Sequence, residues 1–261
     1  MVPAADPFAT LLARALGVEV EAVDVATLER EEEVAGAETQ RVRWRGGGRE
    51  GSVLFRRYPV RAAVESAVLP LLSRRGAPVP QVFASGVPPR HAPEARPWLL
   101  LGDPGDRVAA PPQALAALAR TRAAIARDAT TLASLGVPQL PPERVREEAL
   151  WAEELLEPED FARLERLAAA TDVRRLAAIE SGLAHGALEG NAVATADGAI
   201  LLGWSRAHLG CPLIDDPAGD DDARRLTALF AVRWLVWEAR EMLRARRRAA
   251  DLVRAVLVQY T

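Results

Sequence analysis

The spacing of apolar positions changes part-way along the chain. Before about Ala110 they come in short alternating or continuous runs, and after Pro111 they recur every three or four residues. Asp6 to Leu16 predicts a short helix, with Phe8, Leu11, Leu12 and Leu16 at helical spacing and Gly17 as its stop. Val18 to Val25 alternates apolar and acidic residues, as an edge strand does. A second candidate strand ends near Val34, before Ala35-Gly36-Ala37. Thr39 to Arg45 and Ser52 to Tyr58 flank a glycine cluster and predict a hairpin. Arg61 to Arg75 carries the stripe Val64, Val68, Leu71 and Leu72 and predicts a helix, which Gly76-Ala77-Pro78-Val79-Pro80 breaks. Val82 to Ser85 and Trp98 to Leu101 predict two more strands, joined by the proline-rich loop Gly86 to Pro97.

Helices follow at Gln113 to Leu135, Pro142 to Leu156, Asp160 to Ala170 and Asp172 to Gly182. A small β insert spans Asn191 to Ala194 and Ile200 to Leu202 around the turn Ala196-Asp197-Gly198. Two helices then close the chain, Asp222 to Arg247 and Ala250 to Tyr260. Strands gathered in front and helices behind predict an α+β fold. The expected division is a β-rich N-lobe with one helix over 1–101 and a helical C-lobe with a small β-hairpin over 102–261.

Composition narrows the chemistry. The 261 residues carry a net charge of −3, which gives no global pull toward nucleic acid, so no nucleic-acid partner is expected. One cysteine, Cys211, and three histidines (His91, His185 and His208) argue against a disulfide framework and a Cys- or His-rich metal centre. No apolar run approaches the ~18 residues of a membrane span. The first residues lack a basic segment followed by an apolar core, so a cytoplasmic protein with no membrane partner is expected. All 33 basic side chains are arginine, so no step here uses a lysine amine.

Five segments, in order, resemble the aminoglycoside phosphotransferase and choline kinase-like family. They are Leu54-Phe55-Arg56-Arg57-Tyr58-Pro59 followed by Glu65, Pro78-Val79-Pro80 followed by Trp98 to Leu101, His185-Gly186-Ala187-Leu188-Glu189-Gly190-Asn191, Leu202-Gly203-Trp204-Ser205-Arg206-Ala207, and Leu209-Gly210-Cys211-Pro212-Leu213-Ile214-Asp215. The resemblance implies a protein kinase-like two-lobed fold, with ATP between the lobes and a small-molecule hydroxyl as phosphoryl acceptor. It makes Arg56, Glu65, Leu100, Leu101, Gly102 and Asn191 candidate nucleotide-binding residues, and gives His185 and Asp215 structural roles in bracing the catalytic loop.

The resemblance also marks what this chain lacks. Where the family places its catalytic base stands Ala187, which neither accepts a proton nor a hydrogen bond. Where the family places a metal-binding aspartate stands Gly203, which offers no oxygen ligand. Arg56 replaces the strand lysine, and the loop between the base position and Asn191 is one residue shorter than in the family. The expectation is a catalytically impaired, degenerate member: a pseudokinase that binds a small molecule or a protein partner. No cofactor is assigned to it. The alternative is an active ATP- and Mg²⁺-dependent kinase in which Glu189, Asn191 or the Asp215/Asp216 pair replaces the lost carboxylates. Glu189 reads more simply as a solvated loop residue, Asp220 to Asp222 as a helix cap, and His208 as a loop histidine. The run Arg244 to Arg248 reads as a solvated helix end.

Overall fold

The structure, a computed structural model, describes residues 7–28, 37–59, 64–86, 96–216, 220–241 and 246–260. The strand expected to end near Val34, the start of the helix expected from Arg61, most of the Gly86–Pro97 loop with His91, and Arg244 lie outside them. Contacts group the chain into two compact units. One is Met1–Ile125 with Glu189–Ser205, and the other is Ala126–Leu188 with Arg206–Thr261. That grouping differs from the expected division after Leu101: the segment up to Ile125 and the small β insert both belong with the sheet.

The first unit is built on a five-stranded antiparallel sheet in the order β1 (Ala22–Leu28), β2 (Glu38–Gly46), β3 (Arg49–Arg57), β5 (Trp98–Gly102), β4 (Val82–Gly86). The β2–β3 hairpin turns on Gly47 and Gly48 at φ 56° and 71°. Two consecutive left-handed residues give a turn whose twist matches the strands, and glycine adopts it without strain. β1 lies at the sheet edge and is mostly exposed; it starts at Ala22, so of the acidic residues that alternate over Val18 to Val25 only Asp24 lies in it. Strand alternation puts Val42, Val53 and Leu100 on one face, where they pack with Leu12 and Leu11 of α1 (Pro7–Leu16). The other face carries Arg41, Leu54, Arg56 and Leu101. Helix α2 (Val64–Arg74) buries Val68, Leu71 and Leu72.

The small β insert forms as expected, from β8 (Ala192–Thr195) and β9 (Gly198–Leu201). It is stitched to the rest of its unit by main-chain hydrogen bonds. Ala109 N–H donates to Ala192 O (2.9 Å), Ala194 N–H to Arg107 O (2.6 Å), and Leu201 N–H to Pro78 O (2.9 Å). Helix α3 (Pro111–Ala124) packs on β9.

Several expected helices are shorter. Gln113–Leu135 divides into α3 and α4 (Ala129–Ser134), because the backbone leaves the helix at Ile125 (φ −117°, ψ 15°). Ile125 and Asp128 are both buried at the break, which no glycine or proline marks. Pro142–Leu156 becomes α5 (Pro142–Ala149) and a 3₁₀ turn, Leu150–Glu154. Asp172–Gly182 shrinks to α7 (Val173–Ala177), capped where Asp172 accepts from Arg175 N–H at 3.0 Å. α6 spans Pro158–Ala170, α8 Asp221–Glu241, and α9 Arg246–Tyr260, so α9 starts ahead of Ala250. A three-stranded sheet that the apolar pattern did not announce joins β6 (Gln139–Leu140), β10 (His208–Gly210) and β7 (Gly182–Ala184). Among the described residues no helix is long and apolar enough to cross a membrane.

The core of the second unit gathers Leu164, Leu167, Leu226, Leu229, Val253 and Leu257. Glu148 of α5 accepts from Arg144 Nε (2.5 Å) and from Arg233 Nε of α8 (2.6 Å). Burial opposes ionisation of Glu148, but the two guanidiniums outweigh it and hold the carboxyl below its ordinary range. The lowered value means that the pair stabilises the fold above the ordinary carboxylate range and loses that contribution as pH falls through it. Glu148→Ala is expected to cost about 2 kcal/mol at neutral pH, since it leaves the Arg233 guanidinium nearly buried without this partner. Urea unfolding at pH 7 and pH 3 checks it: the gap between wild type and variant should shrink at the lower pH.

Candidate active site

In the first unit, Arg56 sits on β3 opposite Thr39 and Leu99, on the sheet face away from α1. Its guanidinium lies 3.3 Å from Glu65 Oε1 of α2 and 5.4 Å from the centre of the Tyr58 ring. Only 7% of the Arg56 side chain and none of Glu65 is exposed, so this is a buried ion pair between strand and helix. Leu100 packs in the core beneath α1, and Leu101 lies on the opposite face, also buried. The Gly102 N–H is committed to Gln81 O at 2.8 Å.

Asn191 and Gly203 flank the β8–β9 hairpin. Leu202 N–H donates to Asn191 O at 2.8 Å, and Ala192 pairs with Leu201, so the register brings the Asn191 side chain over Gly203. Gly203 has φ +69°, a conformation that side chains rarely adopt. A Cβ there would fall on Asn191 Oδ1 and lie 2.7 Å from its Cγ. The side chain of Glu189 is exposed.

In the second unit, Asp215 spends both carboxylate oxygens on the turn after β7. It accepts from His185 N–H (2.7 Å) and Gly186 N–H (2.8 Å). His185 is fully buried, and its Nδ1 accepts from Ala187 N–H at 3.3 Å. The turn at Ala187 therefore has a shaped backbone and no reactive side chain. His208 lies on β10, not in a loop. It is fully buried, stacked on Phe230 at 4.6 Å with Nδ1 3.1 Å from Arg206 O. Asp216 is exposed. Asp220 caps α8 by accepting from Ala223 N–H, Asp222 accepts from Asp172 N–H ahead of α7, both pair with Arg175, and Asp221 pairs with Arg224. Their oxygens serve ion pairs and main-chain amides rather than a metal site. Cys211 is a buried member of the core.

The magnesium ion that the family implies does not fit these residues. Gly203 supplies no oxygen, Asn191 takes the space beside it, and both Asp215 oxygens are engaged by amides. Among the described residues no three His, Cys, Asp or Glu side chains gather to hold a metal.

One cluster escaped the sequence reading. Arg41 of β2 donates from Nε and NH2 to Asp103 (2.6 and 3.1 Å) and from NH1 and NH2 to Asp106 (2.7 and 2.6 Å). Ser52 Oγ of β3 also donates to Asp103, at 2.6 Å. The clasp ties the segment after β5 to the sheet face that carries Arg56. Burial opposes ionisation of Asp103, but bonds from Arg41, Ser52 and the Gly105 amide outweigh it and lower its pKa. Hydrogen bonds to Asp106 and then Asp103 raise that of Arg41. Asp103-Pro104-Gly105-Asp106 reads in sequence as an ordinary turn, and its partner lies about 60 residues away (sequence separation 62).

A sheet unit of this strand order, followed by a helical unit, is a kinase-like fold. The sequence matches the phosphotransferase enzyme family over residues 31–215, and the chain belongs to that family. Solved structures agree on the fold. A thermostable mutant of aminoglycoside phosphotransferase APH(4)-Ia is 14% identical with a TM-score of 0.60, over 96% of this chain and 98% of that one. A putative aminoglycoside phosphotransferase from Ralstonia eutropha is 15% identical with a TM-score of 0.55, over 97% and 98%. A putative fructosamine-3-kinase from Haemophilus somnus is 10% identical with a TM-score of 0.53, over 97% and 96%. No curated protein matches the chain significantly in sequence.

Asp215→Ala is expected to cost about 2 kcal/mol by stripping two amides of their acceptor, and Asp215→Asn, which keeps one oxygen, less. Hydrogen exchange at His185 and Gly186 should quicken in the same order. Arg41→Ala should move the Asp103 carboxyl upward from its lowered position, because burial then acts with less opposition. Carbon NMR of that carboxyl through a pH titration reads the direction.

Proposed function

We propose that this phosphotransferase-family protein no longer transfers phosphate and works as a binding or regulatory module, a cytoplasmic pseudokinase. The observation that carries the reading is the pair of substitutions Ala187 and Gly203, the second locked in by the packing of Asn191. A positioned base contributes roughly 10²- to 10⁴-fold to proton transfer. A missing metal ligand removes part of the charge stabilisation on which phosphoryl transfer depends. The ligand is a small molecule or a protein partner, and nucleic acid is not part of this reading. One observation favours a second reading, an active small-molecule kinase: the buried Arg56–Glu65 pair keeps a cation on the strand where the family carries its phosphate-gripping lysine.

The two readings separate in one set of measurements. Incubation with γ-labelled ATP, Mg²⁺ and a panel of amino sugars and amino alcohols should give transfer no faster than a no-enzyme control. Any thermal shift produced by ATP or ADP should be the same with Mg²⁺ and with EDTA. Magnesium-dependent turnover that Asn191→Ala abolishes would establish the kinase instead.

A further inference from the structure

Residues 191 and 203 are two features of one arrangement. The three residues between Ala187 and Asn191 lead straight into β8, and the Leu202–Asn191 hydrogen bond then holds the two ends of the hairpin together. The result sets the Asn191 carboxamide where a side chain on residue 203 would start. Turning the amide about χ2 moves Oδ1 but leaves Cγ 2.7 Å and Cβ 3.3 Å from that point, so relief needs a χ1 change or a backbone shift. A residue at 203 with a Cβ thus meets two separate obstacles, the left-handed backbone and the Asn191 side chain.

We propose that Asn191 is a built-in plug beside Gly203: its carboxamide fills the volume that any residue-203 side chain needs, so the chain itself enforces a site without a metal ligand. This rests on the reading of a site that holds no divalent ion. It adds that restoring the aspartate at 203 does not by itself restore a ligand, because the new side chain and Asn191 exclude each other.

A double-mutant cycle on the ligand-free protein tests the exclusion. Wild type, Gly203→Ala, Asn191→Ala and the double variant are compared by thermal unfolding. The cost of φ +69° at residue 203 is common to both backgrounds and cancels, which leaves the contact with Asn191. Gly203→Ala should lower Tm by at least about 3 °C more in the presence of Asn191 than in the Asn191→Ala background. Equal shifts in the two backgrounds would overturn the plug. A second measurement titrates Mn²⁺ alone, followed by its EPR signal. Gly203→Asp with Asn191 in place should bind within about two-fold of wild type, and a tightening of about ten-fold would also overturn it. The cycle involves no nucleotide and no turnover, so its failure leaves the phosphate-transfer assay to decide the inactive reading on its own.

Discussion

The hydrogen bond from Leu202 N–H to Asn191 O, 2.8 Å long, closes the β8–β9 hairpin at the place where the family's motifs meet this chain's departures from them. The hairpin in turn is tied to Arg107, Ala109 and Pro78 by main-chain bonds. Such bonds are indifferent to side-chain identity. The scaffold therefore needs no side chain at residue 203, and it delivers Asn191 to one spot. That delivery leaves a Cβ at residue 203 in close contact with Asn191.

The turn after β7 follows the same logic. Asp215 holds it by two amide donors, and the buried His185 lines it from within. Neither contact depends on the side chain of residue 187, so an alanine there leaves the turn supported. The two units thus hold Gly203 and Ala187 on backbone that neither side chain is needed to support. The Arg56–Glu65 pair joins β3 to α2 by a buried ion pair. Its cation is a guanidinium, buried against a carboxylate, whose planar fork and delocalised charge differ from a point charge.

Much of the fold was legible because short-range rules dominated those segments. The Gly47-Gly48 turn, the alternation of Val42 and Trp44, and the Leu11–Leu12 face of α1 each report their own element. The helical half was less legible at its interruptions. The chain leaves the helix at Ile125 with no glycine or proline to mark the break, and Gly182, expected at a helix end, pairs with β10 instead. Strands of two or three residues such as β6 and β7 exist only through partners distant in sequence, so no local period announces them. His208, read as a loop residue, became a strand residue for the same reason.

What the sequence determined by itself was the family, the order of elements and the identities at 187 and 203, because motif order and residue type are local information. What the tertiary structure alone decided was which groups meet. It placed the Asn191 carboxamide on Gly203, spent Asp215 on two amides, committed Asp220 to Asp222 to arginines, and closed Arg41 between Asp103 and Asp106. Those outcomes turn on distances between residues far apart in the chain, and the backbone sets those distances only once the sheet register and helix packing are complete.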